Sequence, residues 1–130
     1  MTMFARILFV DDDAAFREVV ESHLAAEGFH VTCANTGTGA LEQLKKSHFD
    51  VVLLDYHMPD MNGVEVLQRM KELSIRTRVV MLTGETALDK AIETLKLGVD
   101  DYLTKPYFAQ HLVACINRVI AKGVQQPHLK

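Results

Sequence analysis

Cysteine is scarce in this chain. Cys33 and Cys115 are the only two among 130 residues, and no C-x-x-C spacing occurs. That excludes a disulfide framework, a cysteine zinc site and a dithiol redox motif. Both thiols are expected to be reduced, in a cytoplasmic protein. Long apolar runs are missing too. No stretch approaches the roughly 20 residues that span a bilayer, and Met1–Arg6 has no charged segment leading into an apolar one, so no signal peptide is expected. There is no basic run. The chain carries 14 Lys and Arg against 17 Asp and Glu, a net charge of -3. Direct nucleic-acid binding and adhesion to anionic membranes are therefore not expected. Low-complexity stretches and interdomain linkers are absent as well, and 130 residues is one domain's worth.

What the chain does have is alternation between two hydrophobic periods. Arg6–Val10 is an apolar run that stops at three aspartates, and Phe16, Val19, Val20 and Leu24 then follow at helical spacing up to Gly28. Val31–Ala34 is a second strand, and Asn35–Gly39 reads as a turn before a helix marked by Leu41 and Leu44. Val51–Leu54 is a third strand ending at Asp55. Met58–Gly63 reads as a loop, and Val66, Leu67, Met70 and Leu73 as a third helix. Val79–Leu82 is a fourth strand, reaching Thr83. Leu88, Ala91, Ile92 and Leu95 give a fourth helix closed by Gly98. Asp101–Thr104 is a weaker fifth strand, halted by Lys105-Pro106. Leu112, Ile116, Val119 and Ile120 mark a fifth helix ending near Gly123.

Strict strand–helix alternation implies an α/β fold, because each parallel crossover needs a helix. The first, third and fourth strands are wholly apolar, as central strands buried on both faces should be. The second and fifth are mixed with polar residues, as edges should be. A doubly wound five-stranded parallel sheet of order 2-1-3-4-5, flavodoxin-like, satisfies both conditions. Residues 5–122 are expected to form this domain. Residues 123–130 would be a C-terminal tail or the start of a linker, too short to be an effector.

In such a sheet, ligands bind at the carboxyl ends of the strands, near the point where strand order reverses. Asp11, Asp12 and Asp13 leave the first strand there, Asp55 the third, Thr83 the fourth and Lys105 the fifth. Clustered carboxylates are best reconciled by a divalent cation, and hard oxygen donors favour magnesium or manganese over zinc. A hydroxyl and an ammonium beside them suit the oxygens of a phosphoryl group. The chemistry indicated is an aspartate that becomes an acyl phosphate. Asp13 has a simpler role, as the N-cap of the first helix.

The set Asp11-Asp12, Asp55, Thr83 and Lys105-Pro106, with Met58-Pro59, Gly63 and the run Gly98–Pro106, resembles the receiver domain of two-component response regulators. Each motif alone is weak, but their joint order and spacing are specific. The resemblance implies a bacterial signalling switch with Asp55 as phosphoacceptor. It implies Mg²⁺ (or Mn²⁺) held by Asp12 directly, by Asp11 through a coordinated water, by Asp55 and by the backbone carbonyl of His57. Thr83 would hydrogen-bond the phosphoryl group and Lys105 would pair with it. The peptide bond before Pro106 would be cis, and Tyr102 would swing inward as the switch aromatic. The donor would be a phosphohistidine on a sensor histidine kinase or histidine phosphotransfer protein, and the output protein is left open. The surface around the fourth helix, fifth strand and fifth helix would change. The chain would assist its own phosphorylation and dephosphorylation rather than act on a separate substrate, as a monomer or weak homodimer.

Other readings remain at this stage. A Mg²⁺-dependent aspartyl phosphohydrolase, similar to the haloacid dehalogenase family, would want a second Asp where His57 stands. Flavin binding would need a phosphate cradle where three aspartates repel one. A phosphorylation-independent interaction module could use the same scaffold. The His57 side chain is expected to be exposed beside the site, able to influence the approach of water. Phe108 is unusual for the start of the fifth helix, where the resembling family carries a small or acidic residue. It is read either as an inward staple or, with Val113 and Cys115, as part of an apolar patch.

Overall fold

A computed structural model describes residues 5–84, 96, 98–104 and 107–125, with backbone only for 123–125. The strands are β1 (Arg6–Val10), β2 (His30–Ala34), β3 (Val51–Asp55), β4 (Arg78–Thr83) and β5 (Asp101–Thr104). The described helices are α1 (Ala14–Ala26), α2 (Gly37–Lys46), α3 (Gly63–Glu72) and α4 (Ala109–Gln125). The helix expected around Leu88–Leu95 lies outside the described residues, as do Lys105 and Pro106.

All four strand pairings are parallel and the order is β2-β1-β3-β4-β5, as the polarity of the strands predicts. Every residue of β3 is buried, whereas β2 and β5 at the edges are mostly half-exposed. Alternation along the strands builds two apolar layers. Leu8, Val10, Val52, Leu54, Val79 and Met81 face α2 and α3. Ile7, Phe9, Val51, Leu53, Val80 and Leu82 face α1 and α4. Each such fully buried Val or Leu side chain stabilises the fold by roughly 1.5–3 kcal/mol.

The helix boundaries show where local pattern gives way to tertiary contact. Gly37–Gly39, read as a turn, opens α2. Thr36 caps it, and its first N–H groups are also met by a side chain from the β3–α3 loop, described below. Gly63, read as loop, is the first residue of α3. Asn62 accepts from the Glu65 N–H and the Glu65 carboxylate accepts from the Asn62 N–H, a reciprocal capping box. Val19, expected on the buried stripe of α1, is 65% exposed, and Leu73 sits past the end of α3 on the surface. Gly123, expected as a stop, lies within α4, which runs on to Gln125.

Two helices end in the same way with different residues. After α1, Gly28 has φ 99° and its N–H donates to the Ala25 carbonyl, while the Phe29 N–H donates to that of Leu24. After α3, Ser74 has φ 58°, its N–H donates to the Lys71 carbonyl, and the Ile75 N–H donates to that of Met70. Both are Schellman closures, which place the turning residue in the left-handed region. A Cβ there is unfavourable by roughly 1 kcal/mol or more. Ser74→Gly should therefore raise stability by about 1 kcal/mol, less any entropy lost by the more flexible unfolded chain. A denaturant midpoint unchanged or lowered would contradict this.

Candidate functional site

The site forms where β1, β3 and β4 end. Val10 pairs with Leu54, so Asp11, the next residue, comes level with Asp55. The Asp11 N–H continues the β1–β2 ladder to the Ala34 carbonyl, and Asp55 pairs with Leu82, one residue before Thr83. The apolar strands thus drive their terminal polar residues into the interior. Asp11 is fully buried, Asp55 is 3% exposed and Thr83 is 5% exposed. They are the three buried polar or charged residues among those described.

Asp12 is exposed and completes the cluster. One carboxylate oxygen each from Asp11, Asp12 and Asp55 lies within 4.8 Å of the others. These three and Asp13 line a cavity of about 450 Å³ together with His57, Met58, Pro59 and Gly84. Local hydrogen bonds shape both walls. The Asp13 N–H donates to Asp11 Oδ1 at 2.9 Å, and Asp13 itself caps α1 by accepting from the Phe16 N–H. The His57 N–H donates to Asp55 Oδ1 at 3.3 Å, which turns the chain back beneath the carboxylate. Arg17, in the second turn of α1, donates to the Asp11 carbonyl at 2.6 Å and ties the helix to the end of β1.

Sequence reasoning placed Asp11, Asp12, Asp55 and Thr83 at one end of one sheet, and the structure brings them there. His57 is exposed at the mouth, its ring edge-on to Tyr56. Tyr102 is partly buried. It pairs with Met81, shares the α2–α3 layer, and so lies on the same face as Thr83, two residues beyond Met81. Lys105 and Pro106 lie outside the described residues. The apolar patch imagined at the last helix resolves into separate fates. Cys115 is buried in the core, Val113 packs against it, and Phe108 is 68% exposed with its ring against His111. Burial and the neighbouring Asp101 push the Cys115 thiol up to about 12, so it stays protonated and unreactive.

Asp60 was given no role by sequence reasoning. Its side chain crosses from the β3–α3 loop to the start of α2. There it accepts from the Gly37 N–H at 2.8 Å, the Thr38 N–H at 2.9 Å and the Thr38 hydroxyl at 2.6 Å. It thereby anchors the loop that forms one wall of the cavity. Desolvation works against ionisation. The Thr38 hydroxyl and the backbone N–H groups of Thr38, Gly37 and Asp60 together outweigh it and lower the carboxyl from 3.8 to about 2. The unfolded chain then binds this proton more readily than the folded one. Stability from these bonds is complete above about 4 and is lost as pH falls from 3.8 towards 2. Asp60→Asn should lower the melting temperature at pH 7, and the gap to wild type should narrow below pH 4. A gap that stays constant with pH would contradict the assignment.

Tyr107 is the other residue left without a role. It follows Lys105-Pro106, and only the fold reveals that it lies beneath the site, against Phe16.

Among the described residues, no helix is long and apolar enough to cross a membrane. Comparison with known proteins agrees with the geometry. Residues 7–117 match the response regulator receiver domain family. The chain is 34% identical over 127 residues to the cell cycle transcriptional regulator CtrA of Caulobacter vibrioides, covering 96% of this chain and 55% of that protein. It is 37% identical over 130 residues to the regulatory protein AtoC of Escherichia coli, covering all of this chain and 27% of that protein. The chain thus spans about half the length of the first relative and about a quarter of the second. A solved CheY-like receiver domain from Methanospirillum hungatei superposes with a TM-score of 0.89 at 30% identity, covering 95% of this chain and 99% of that one. Such domains are phosphoacceptors in two-component signalling rather than enzymes acting on separate substrates, and they work with histidine kinases and output effectors. The chain belongs to the response regulator receiver domain family.

Proposed function

We propose that Asp55 is the phosphoacceptor and that the domain, residues 5–122, is a switch set by its phosphorylation. One observation carries this reading. Asp55 is a nearly buried carboxylate at the reversal point of the sheet, and an oxygen from each of Asp11 and Asp12 lies within 4.8 Å of it. Three hard oxygen donors in a cavity open to solvent fit a small divalent cation such as Mg²⁺. Asp11, Asp12, Asp55 and the His57 carbonyl would hold it. When bound, it would supply positive charge to offset the carboxylates and the incoming phosphoryl oxygens.

The chain's own residues do the rest. A carboxylate oxygen of Asp55 attacks the phosphorus of a phosphohistidine on a sensor kinase or phosphotransfer protein. An O–P bond forms, the N–P bond breaks, and the imidazole leaves and takes up a proton. Thr83, buried at the end of β4, donates its hydroxyl to the phosphoryl group, and Lys105 pairs with it. Because Thr83 and Tyr102 share one face of the sheet, movement of Thr83 opens room for the Tyr102 ring. The surface around β5 and α4 then changes towards its output partner. The change is a shift between two populations, so some of the unphosphorylated protein already adopts the active form. The same arrangement of carboxylates lets the domain assist its own dephosphorylation by water.

The test is incubation with a small-molecule phosphodonor, with and without Mg²⁺. Uptake should require Mg²⁺, and the product should be destroyed by hydroxylamine, which attacks acyl phosphates and spares phosphoserine. A hydroxylamine-resistant product would contradict the assignment to Asp55.

A further inference from the structure

Tyr107 sits on the side of the sheet covered by α1 and α4. Its ring joins that apolar layer, meeting Phe16 edge-on with centroids 5.6 Å apart, and Phe16 meets Phe9 of β1 in the same manner at 6.4 Å. Asp11 and Asp55 belong to the same side. Asp11 continues the row Ile7, Phe9, and Asp55 continues the row Val51, Leu53, all of which face α1 and α4. The ring therefore lies beneath the two buried carboxylates, wedged against the helix that starts just after Asp11–Asp13. Its hydroxyl oxygen is buried and has no hydrogen-bond partner among the described residues.

Packing alone does not call for that oxygen. Phenylalanine would fill the same space against Phe16 without burying an unsatisfied polar group, which is unfavourable. An ordinary phenol keeps its proton throughout physiological pH, so the hydroxyl is a hydrogen-bond donor there.

We propose that Tyr107 is a positioning residue of the phosphorylated state. Its hydroxyl is a donor held in reserve, engaged by the Asp11–Asp55 group directly or through one water when the phosphoryl group adds negative charge. This rests on the reading of Asp55 as phosphoacceptor. Engagement at that moment favours the phosphorylated form over the free one, and it orders the acid side of the cavity against attacking water.

The test compares wild type with Tyr107→Phe, which keeps the ring. Unphosphorylated, the variant should melt no lower than wild type. It should still take up phosphoryl from a small-molecule donor with Mg²⁺, but lose it about 3- to 10-fold faster, the range expected for one hydrogen bond. The tyrosine ultraviolet difference spectrum, phosphorylated minus unphosphorylated, should be larger in wild type than in the variant, because Tyr56 and Tyr102 contribute to both and Tyr107 to wild type alone. Equal lifetimes, or identical difference spectra in the two proteins, would overturn the role of Tyr107 while leaving Asp55 in place. A variant already destabilised before phosphorylation would assign the hydroxyl to the fold instead. Failure of wild type to take up phosphoryl at all would overturn the reading of Asp55, and this inference with it.

Discussion

Asp11→Asn should leave the fold intact and make the protein unresponsive to Mg²⁺. Asparagine has nearly the same shape, and its side-chain oxygen can still accept from the Asp13 N–H, so the turn into α1 survives. What disappears is one of three charges gathered within 4.8 Å. In wild type, a cation binding the folded cluster and not the unfolded chain must stabilise the fold. The gain is ~2.7 kcal/mol at a concentration 100 times Kd. With an amide in place of a fully buried carboxylate, that gain should shrink to near zero over the same concentrations. Without Mg²⁺ the variant should be at least as stable as wild type, because carboxylates held together repel one another. Thermal melts across a Mg²⁺ titration measure both effects. A variant that keeps the wild-type response would remove Asp11 from the cation site.

Gly63→Val should destabilise the protein by about 3 kcal/mol, near the upper end for overpacking a tight interior site. Gly63 is buried at the first turn of α3, and its N–H donates to the Tyr56 carbonyl at 2.7 Å. A Cβ built there lies 2.7 Å from Met81 Sδ and 3.2 Å from the Cα of Tyr56. The methionine end can bend away, but the Tyr56 backbone cannot move without moving Asp55, its neighbour. Phosphoryl uptake should therefore slow even at temperatures where the variant is fully folded. Gly63→Ala, with no atoms beyond Cβ, should fall between the two. A Gly63→Val protein as stable and as readily phosphorylated as wild type would show that the approach of α3 to β3 is looser than described.

The sheet was legible because its central strands bury both faces. Runs such as Val51–Leu54 have no polar position until they leave the core at Asp55, so strand ends and site residues are marked by the same residue change. Edge and centre could be told apart for the same reason. The start of α3 was also readable in principle, since Asn62 and Glu65 have the spacing of a capping box; the adjacent Gly63 drew attention to a loop instead. The start of α2 was not readable. Two glycines argue against a helix locally, and the compensating carboxylate of Asp60 arrives from 23 residues away. Val19 and Val20 show the limit of periodicity, since both fit an apolar stripe and one of them faces solvent. Tyr107 stayed hidden because its place depends on which side of the sheet the chain returns to after β5, and no local pattern encodes that.

The central claim is chemical and concerns one atom group, the carboxylate of Asp55. Intact-protein mass measured after exposure to a small-molecule phosphodonor and Mg²⁺ tests it most directly. Wild type should gain the mass of one phosphoryl group, and Asp55→Asn, folded as shown by its melting curve, should gain none. An unmodified wild type that nonetheless binds Mg²⁺, or an Asp55→Asn variant that gains the same mass, would contradict the account.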